Sequence, residues 1–224
     1  MLTQIPDLLT EKELQSVREA MAGGDYADGR ETAGSRARRV KDYVQLCKGD
    51  PRARELNDMV LDALWRNRVL RMAAVPRRIQ RPLFSRYMEG MRYGQHVDDA
   101  LMKQQSRSVR TDLALTLFLN DPDTYDGGEL LMQSPYGAVS VKLPMGSAVL
   151  YPASSFHEVC PVTRGERWAA VTWLESHVRD PVKREILFDL GAIKVSLSRT
   201  RPEEPETELA HKTYSNLLRL WAET

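Results

Sequence analysis

The stretch AVLYPASSFHEVCPVTRGERWAAVTW, residues 148–173, carries three apolar runs of four to six residues, Ala148 to Tyr151, Glu158 to Val162 and Trp168 to Trp173, separated by short polar breaks. Runs this short, rich in β-branched and aromatic residues and punctuated by Ser154-Ser155 and Thr163-Arg164-Gly165, read as strands rather than helices. The same texture extends backwards to Pro82, through Leu83 to Tyr87, Leu113 to Leu119, Glu129 to Met132 and Val139 to Leu143. The turns between them fall at Asp126-Gly127-Gly128, Tyr136-Gly137 and Pro144-Met145-Gly146. Many short strands at regular spacing imply a β-sandwich or barrel.

Helical signals flank this core on both sides. Thr10-Glu11-Lys12-Glu13 is a capping box, Leu9 and Leu14 stand at staple positions, and Gly23-Gly24 stops a helix over Glu11 to Ala22. Asp50 caps and Pro51 opens a second amphipathic helix, on which Leu56, Val60, Leu64 and Leu70 recur before Pro76 ends it. After His177 the helical period returns: Asp180-Pro181 opens one helix, and another carries Leu209, Leu217, Leu218 and Trp221. The expected organisation is helices plus β-core over 1–178 and a helical extension over 179–224, with Arg201 to Glu208 as a solvated Pro- and Glu-rich linker.

Composition excludes more than it selects. Lys plus Arg total 32 against 31 Asp plus Glu, and the net charge of +1 gives no field to draw nucleic acid or an anionic membrane. Two cysteines, Cys47 and Cys160, are too few for a disulfide framework and suit a reducing compartment. Met1 to Pro6 lacks a basic stretch followed by an apolar core, and no apolar run approaches the ~20 residues that cross a bilayer. The expectation is a soluble cytoplasmic protein whose terminal helices pack against the β-core or against a second subunit.

The chemistry concentrates on four residues of the β-core. In His96-Val97-Asp98 an imidazole and a carboxylate stand two positions apart, and an extended chain turns both to one face. Alone, so short a pattern is more often a surface pair. His157 supplies a third candidate ligand. Two histidines and a carboxylate form the facial triad of non-haem iron(II) oxygenases, yet they also build catalytic zinc sites, so the triad does not choose the metal. Arg167 leads into an apolar strand ten positions after His157. Turned inward, its guanidinium needs an acidic partner, and the planar fork suits a carboxylate; turned outward, it snorkels to the rim. A dicarboxylic keto acid chelating the metal, with its far carboxylate on Arg167, would meet the inward requirement.

His96-x-Asp98, Gly127-Gly128-Glu129-Leu130, His157-Glu158-Val159, the run Pro161 to Gly165 with Arg167, Arg110-Thr111-Asp112-Leu113 and Leu117-Phe118-Leu119 together resemble the bacterial PKHD-type hydroxylases. That family lies in the prolyl-4-hydroxylase-like branch of the iron(II)- and 2-oxoglutarate-dependent dioxygenases, and the likeness spans nearly the whole chain, Pro82 to Tyr87 and Leu217-Leu218-Arg219 included. The resemblance implies a double-stranded β-helix, or jelly roll, with His96, Asp98 and His157 as iron ligands and Arg167 as the 2-oxoglutarate anchor. It also implies hydroxylation of a small-molecule or peptide substrate by dioxygen, an association with iron acquisition, and ascorbate as a further ligand. Tyr87, nine positions before His96, matches a tyrosine that contacts the cosubstrate in the wider branch, though a strand tyrosine is commonly just packed.

The remaining candidates read more plainly. Cys160 is a small apolar filler, His177 and His211 are outside the motif, and Gly127-Gly128 is a turn, because no helix or Lys-Ser/Thr completes a phosphate loop. Basic clusters at Arg36 to Lys41 and Arg77 to Arg81 read as solvated faces that could also draw an anionic substrate to the barrel mouth. Asp99 to Arg110 has no clear period and is expected to form a mobile lid. A protein that senses iron or 2-oxoglutarate without turnover is the alternative reading.

Overall fold

The computed structural model describes residues 1–32, 37–104, 107–134 and 136–223. The chain begins with β1 (Thr3–Ile5) and α1 (Glu11–Ala22), continues through β2 (Tyr26–Asp28), β3 (Lys41–Asp42) and β4 (Val44–Leu46), and then forms α2 (Pro51–Arg66) and α3 (Arg68–Ala74). Next come β5 (Pro76–Ile79), β6 (Leu83–Tyr87), β7 (Arg92–His96), β8 (Leu101–Gln104), β9 (Arg107–Arg110) and β10 (Leu113–Phe118). The second half of the core holds β11 (Asp126–Gly127), β12 (Leu130–Ser134), β13 (Gly137–Val141), β14 (Ala148–Pro152), β15 (His157–Val159), β16 (Val162–Arg164) and β17 (Arg167–Ser176). Two helices, α4 (Pro181–Thr200) and α5 (Pro205–Trp221), complete it.

Two antiparallel sheets face each other as a jelly roll whose edges do not close. The larger runs β1-β14-β10-β17-β6-β4-β2, with β5 on the far end of β17; the smaller runs β13-β12-β15-β7-β3. The strand period of two assigns the faces. Leu113, Leu115 and Leu117 of β10 pack with Val17, Met21, Leu56, Val60 and Leu64 of α1 and α2. Ala114 and Phe118 of the same strand join Leu130, Val141 and Val159 between the sheets. A strand buried on both faces shows as the unbroken apolar run LALTLF, at about 1.5–3 kcal/mol for each large side chain removed from water.

The helix caps are as expected. The Thr10 hydroxyl accepts from the Glu13 amide, the Glu13 carboxylate accepts from the Thr10 amide at 2.7 Å, and Asp50 accepts from the Arg52 amide at 2.9 Å. The second helix, however, is not continuous to Pro76. Asn67 takes an extended conformation and its side chain accepts from the Leu70 amide at 2.9 Å, so an internal cap starts α3 afresh. Leu56, Val60, Leu64 and Leu70 are nonetheless all buried.

Four further expectations change. The strand over Glu158–Val162 is two, β15 and β16, interrupted at Cys160-Pro161. Asp99–Arg110 is not irregular: β8 and β9 pair as a hairpin, and its tip, 105–106, lies outside the described residues. The linker shrinks to 201–204, because Pro205 opens α5 and the buried Thr207 donates its hydroxyl to the Arg201 carbonyl. The basic clusters are not simply solvated. Lys41 is buried, Arg77 and Arg78 pair with Glu175 at 3.7 and 3.1 Å, and Arg36 lies outside the described residues. Val75, Val178 and Leu187 bury against Tyr214, Leu217, Leu218 and Trp221, which seats α4 and α5 on the end of α3. Both cysteines are free, and no described helix is long and apolar enough to cross a membrane.

Candidate metal centre

The smaller sheet brings the three candidate ligands together. His96 ends β7 and His157 begins β15, and the two are direct partners across the antiparallel pair. Their rings lie 4.2 Å apart, centroid to centroid. Asp98 stands just beyond β7, so chain alternation within a strand is only half the reason it joins them; the turn out of the strand supplies the rest. One ligand atom from each of the three residues can be chosen such that all lie within 4.8 Å of one another, and the group could hold a metal ion.

Local backbone sets the orientation of both imidazoles. Nδ1–H of His96 donates to the Gly94 carbonyl at 2.8 Å, and Nδ1–H of His157 to that of Ser155 at 3.0 Å. Each bond fixes the tautomer that leaves Nε2 as the lone-pair donor, the usual arrangement behind a metal-ligating histidine. Burial, reinforced by the neighbouring His157, pushes His96 down to about 3, which favours the neutral ring that a metal requires. Burial pushes the Asp98 carboxyl up, while His157 and the indole of Trp173 pull it back. Asp98 Oδ2, 3.8 Å from His157 Nε2, accepts no hydrogen bond although it is enclosed by protein. A buried carboxylate oxygen without a donor, beside two imidazoles presenting lone pairs, fits a divalent cation better than it fits any other partner.

Arg167 opens β17 on the facing sheet, opposite Tyr87 of β6 in register. It is 1% exposed, yet its Nε and Nη2 have no hydrogen-bond partner among the described residues. Its guanidinium sits 5.1 Å from the Tyr87 ring centroid and 5.5 Å from that of Phe118. A buried guanidinium resting on aromatic faces and lacking an acid is costly unless an anion arrives. Room for the side chain comes from Gly128, at φ +66°, where a Cβ would stand 2.9 Å from Arg167 Cδ. Gly127, at φ +69°, lets the backbone approach Pro161, but the expected turn is not formed: Gly127 ends β11, whose register against β16 shifts between Asp126 and Gly127.

His96, Asp98, His157, Tyr87 and Arg167 all line one cavity of about 610 Å³ between the sheets. His177 and His211 do not belong to it; His211 pairs with Ser198 at 2.8 Å on the helical extension. Sequence reasoning missed Tyr43, Tyr93 and Tyr151, and read Lys41 only as the end of a basic cluster, whereas all four line this cavity. Tyr43 stacks on Tyr87 at 4.4 Å, Tyr93 stacks on His96 at 3.6 Å, and Tyr151 meets His157 edge-on at 5.2 Å. Tyr93 lies only three positions before His96, and an aromatic that close to a strand ligand was the available signal.

Comparison with known proteins agrees with this architecture. The 2OG-Fe(II) oxygenase superfamily matches residues 82–175. PKHD-type hydroxylases of Xanthomonas campestris, a Synechococcus and Paracoccus denitrificans are each 46% identical over the whole of both chains. The fold resembles a Pseudomonas putida prolyl-4-hydroxylase at TM-score 0.51, 20% identity, over 78% of this chain and 92% of that one. It also resembles a Trichoplax adhaerens prolyl hydroxylase at TM-score 0.54, 17% identity, over 83% and 86%. Sequence likeness over the full length, on a jelly roll that gathers two histidines and an aspartate, places this chain in the PKHD-type hydroxylases of the 2-oxoglutarate- and iron(II)-dependent oxygenases.

Proposed function

We propose that His96, Asp98 and His157 hold iron(II), that Arg167 binds the far carboxylate of 2-oxoglutarate, and that the enzyme hydroxylates a C–H bond of a small molecule or peptide. The observation that carries this reading is the pair of orphans in one cavity: Asp98 Oδ2, a buried anion without a donor, and Arg167, a buried cation without an acid. Iron(II) would meet the charge of Asp98, and a dicarboxylic keto acid held on that metal would meet the charge of Arg167 with its far carboxylate.

Iron bound there would supply dioxygen activation, by which one oxygen atom enters the substrate and the other enters succinate as 2-oxoglutarate loses carbon dioxide. The chain's own part is positional. Arg167 clamps one end of the cosubstrate, Tyr87 floors it, and the two Nδ1–H bonds hold the imidazoles still. Tyr43, Tyr87 and Tyr151 wall the inner end with aromatic surface that keeps bulk water away. We place the β8–β9 hairpin, with Leu101, Met102 and Lys103 on the cavity rim, as the segment that covers the substrate. Residues 179–224 form the extension outside this machinery. Ascorbate use and a link to iron acquisition rest on family likeness alone.

Arg167→Leu tests the assignment. The half-saturating 2-oxoglutarate concentration in a succinate-release assay is expected to rise on the order of a hundredfold, the scale of losing one partner of a buried charge pair. An unchanged requirement, with metal affinity intact, would remove Arg167 from the cosubstrate site.

A further inference from the structure

The cavity has a second charged end that the metal centre and Arg167 do not use. Lys41 lies on β3, the edge of the smaller sheet, paired in register with Tyr93, whose ring stacks on His96. Its side chain is drawn inward: the residue is 6% exposed, its Nζ donates to the Thr32 hydroxyl at 3.0 Å, and it lies 4.9 Å from the Tyr43 ring centroid. No carboxylate stands within ion-pair distance of it among the described residues. Arg167, by contrast, lies on the facing sheet. The two cations therefore stand on opposite walls of one cavity.

The rim beyond Lys41 repeats its sign. Lys48, Arg54, Arg81 and Lys103 line the cavity, and the only carboxylate among its lining residues apart from Asp98 is Asp99. Arg81 alone of these cations has an acid, Asp58 at 3.2 Å, while Lys48, Arg54 and Lys103 have none among the described residues. Gln80, buried beside Arg81 on the same wall, presents an Nε2 with no acceptor. The chain as a whole is nearly neutral, so a mouth with this excess of cations is a local construction and not a reflection of composition.

We infer that the substrate to be hydroxylated is an anion, a carboxylate-bearing small molecule whose charged group is received by Lys41 and whose approach is guided by Lys48, Arg54 and Lys103. The inference rests on the dioxygenase reading and adds the substrate class. A compact ammonium offers three donors without imposing a planar geometry, which suits one oxyanion at the end of a flexible molecule. Burial pushes Lys41 down to about 8, with Asp28 and Asp98 opposing the shift; once Asp98 serves the metal, an incoming carboxylate supplies the missing counter-charge.

The test uses the full chain with manganese(II) and saturating 2-oxoglutarate under argon, which fills the Arg167 end and prevents turnover. Tricarballylate, a tricarboxylate, and its neutral triamide are titrated calorimetrically as probes. The expected result is one-to-one binding of tricarballylate, at least about tenfold weaker binding of the triamide, and affinity that falls with added potassium chloride. Lys41→Met is expected to weaken tricarballylate about tenfold, and Lys41→Arg to restore most of it. The exposed pair Arg54→Ala and Lys103→Ala leaves the buried lysine and its packing alone, and should weaken tricarballylate in the same direction. Absence of tricarballylate binding, equal binding of the triamide, or unchanged affinity in both variants overturns the inference. Loss of 2-oxoglutarate binding along with tricarballylate in Lys41→Met also overturns it, by assigning Lys41 to the cosubstrate. Failure of the wild type to bind 2-oxoglutarate in the presence of metal is a separate result, which sinks the dioxygenase reading and the inference with it.

Discussion

The two faces of the larger sheet are built to opposite rules. Toward the helices, β10 presents Leu113, Leu115 and Leu117 to a closely packed apolar layer. Toward the smaller sheet, the same strand gives Thr116 to a cavity lined by ionisable and aromatic groups and Ala114 and Phe118 to the apolar cluster beside it. Of the eight enclosed side-chain atoms without hydrogen-bond partners among the described residues, six belong to cavity-lining residues: Asn57, Gln80, Asp98, Trp173 and, twice, Arg167. Arg184 shows what a structural arginine does instead. It too is buried, but its Nη1 donates to the carbonyls of Val178 and Arg179, both at 2.7 Å. One face is packed throughout, while the other leaves polar groups that ligands can meet.

The largest effect that would break this division is expected from Asp98→Ala. It should abolish metal binding by calorimetry and succinate release, while the melting temperature stays within a few degrees of the parent. A protein that unfolds but still binds metal would mean that the cavity face carries the fold after all. Leu115→Ala attacks the opposite face. It should cost about 3 kcal/mol in denaturant titration and leave the metal affinity of the folded protein within about twofold. Collapse of metal affinity in this variant would show that the two faces are not separable.

A smaller change sharpens the boundary. Gly128→Ala forces a Cβ against Arg167 Cδ at a φ that disfavours alanine, so the 2-oxoglutarate requirement should rise by about tenfold with little change in metal affinity. No change would mean that Arg167 has another way to sit. The smallest effect belongs to the helix face. The Arg66 guanidinium, opposed by partial burial, holds the Glu13 carboxyl down at about 2, against an ordinary 4.5. A carboxyl lowered by folding stabilises above its unfolded value and loses that contribution as pH falls through its folded one. Glu13→Gln keeps the capping box, so it should be about 1 kcal/mol less stable than the parent at neutral pH, with the difference fading between pH 4.5 and 2. A difference independent of pH would assign the loss to packing.

What could be read in the sequence followed the same division. Strands of five or six residues bounded by turn signals, such as Leu83–Tyr87 and Leu113–Phe118, were legible as short runs, as were helix starts marked by Thr10 and Asp50. The short strands β2, β3 and β4 were not, because two or three residues are too few to stand out as a run, and with them Tyr43, between β3 and β4, went unseen as a cavity residue. Asn67 was hidden for another reason: the apolar positions run on through it, and only its own side chain decides that the helix restarts. His96, Asp98, His157 and Arg167 were legible as a set because their residue types are rarely found together inside an apolar core. The geometry now joins them in one cavity, although the aromatic lattice of Tyr43, Tyr87 and Tyr93 around them depends on pairings between strands distant in sequence.

The bonds that aim the two imidazoles each reach back just two residues, from His96 to Gly94 and from His157 to Ser155. Orientation is thus written into two tripeptides whose histidines face each other across one pair of strands, and both bonds are made within the tripeptides themselves. Such a pair behaves as a portable cassette. Lineages could lengthen loops, exchange edge strands and reshape the mouth for new substrates while the ring angles stay put, and a designer could graft the same two tripeptides onto another antiparallel pair with a fair chance of keeping both lone pairs convergent.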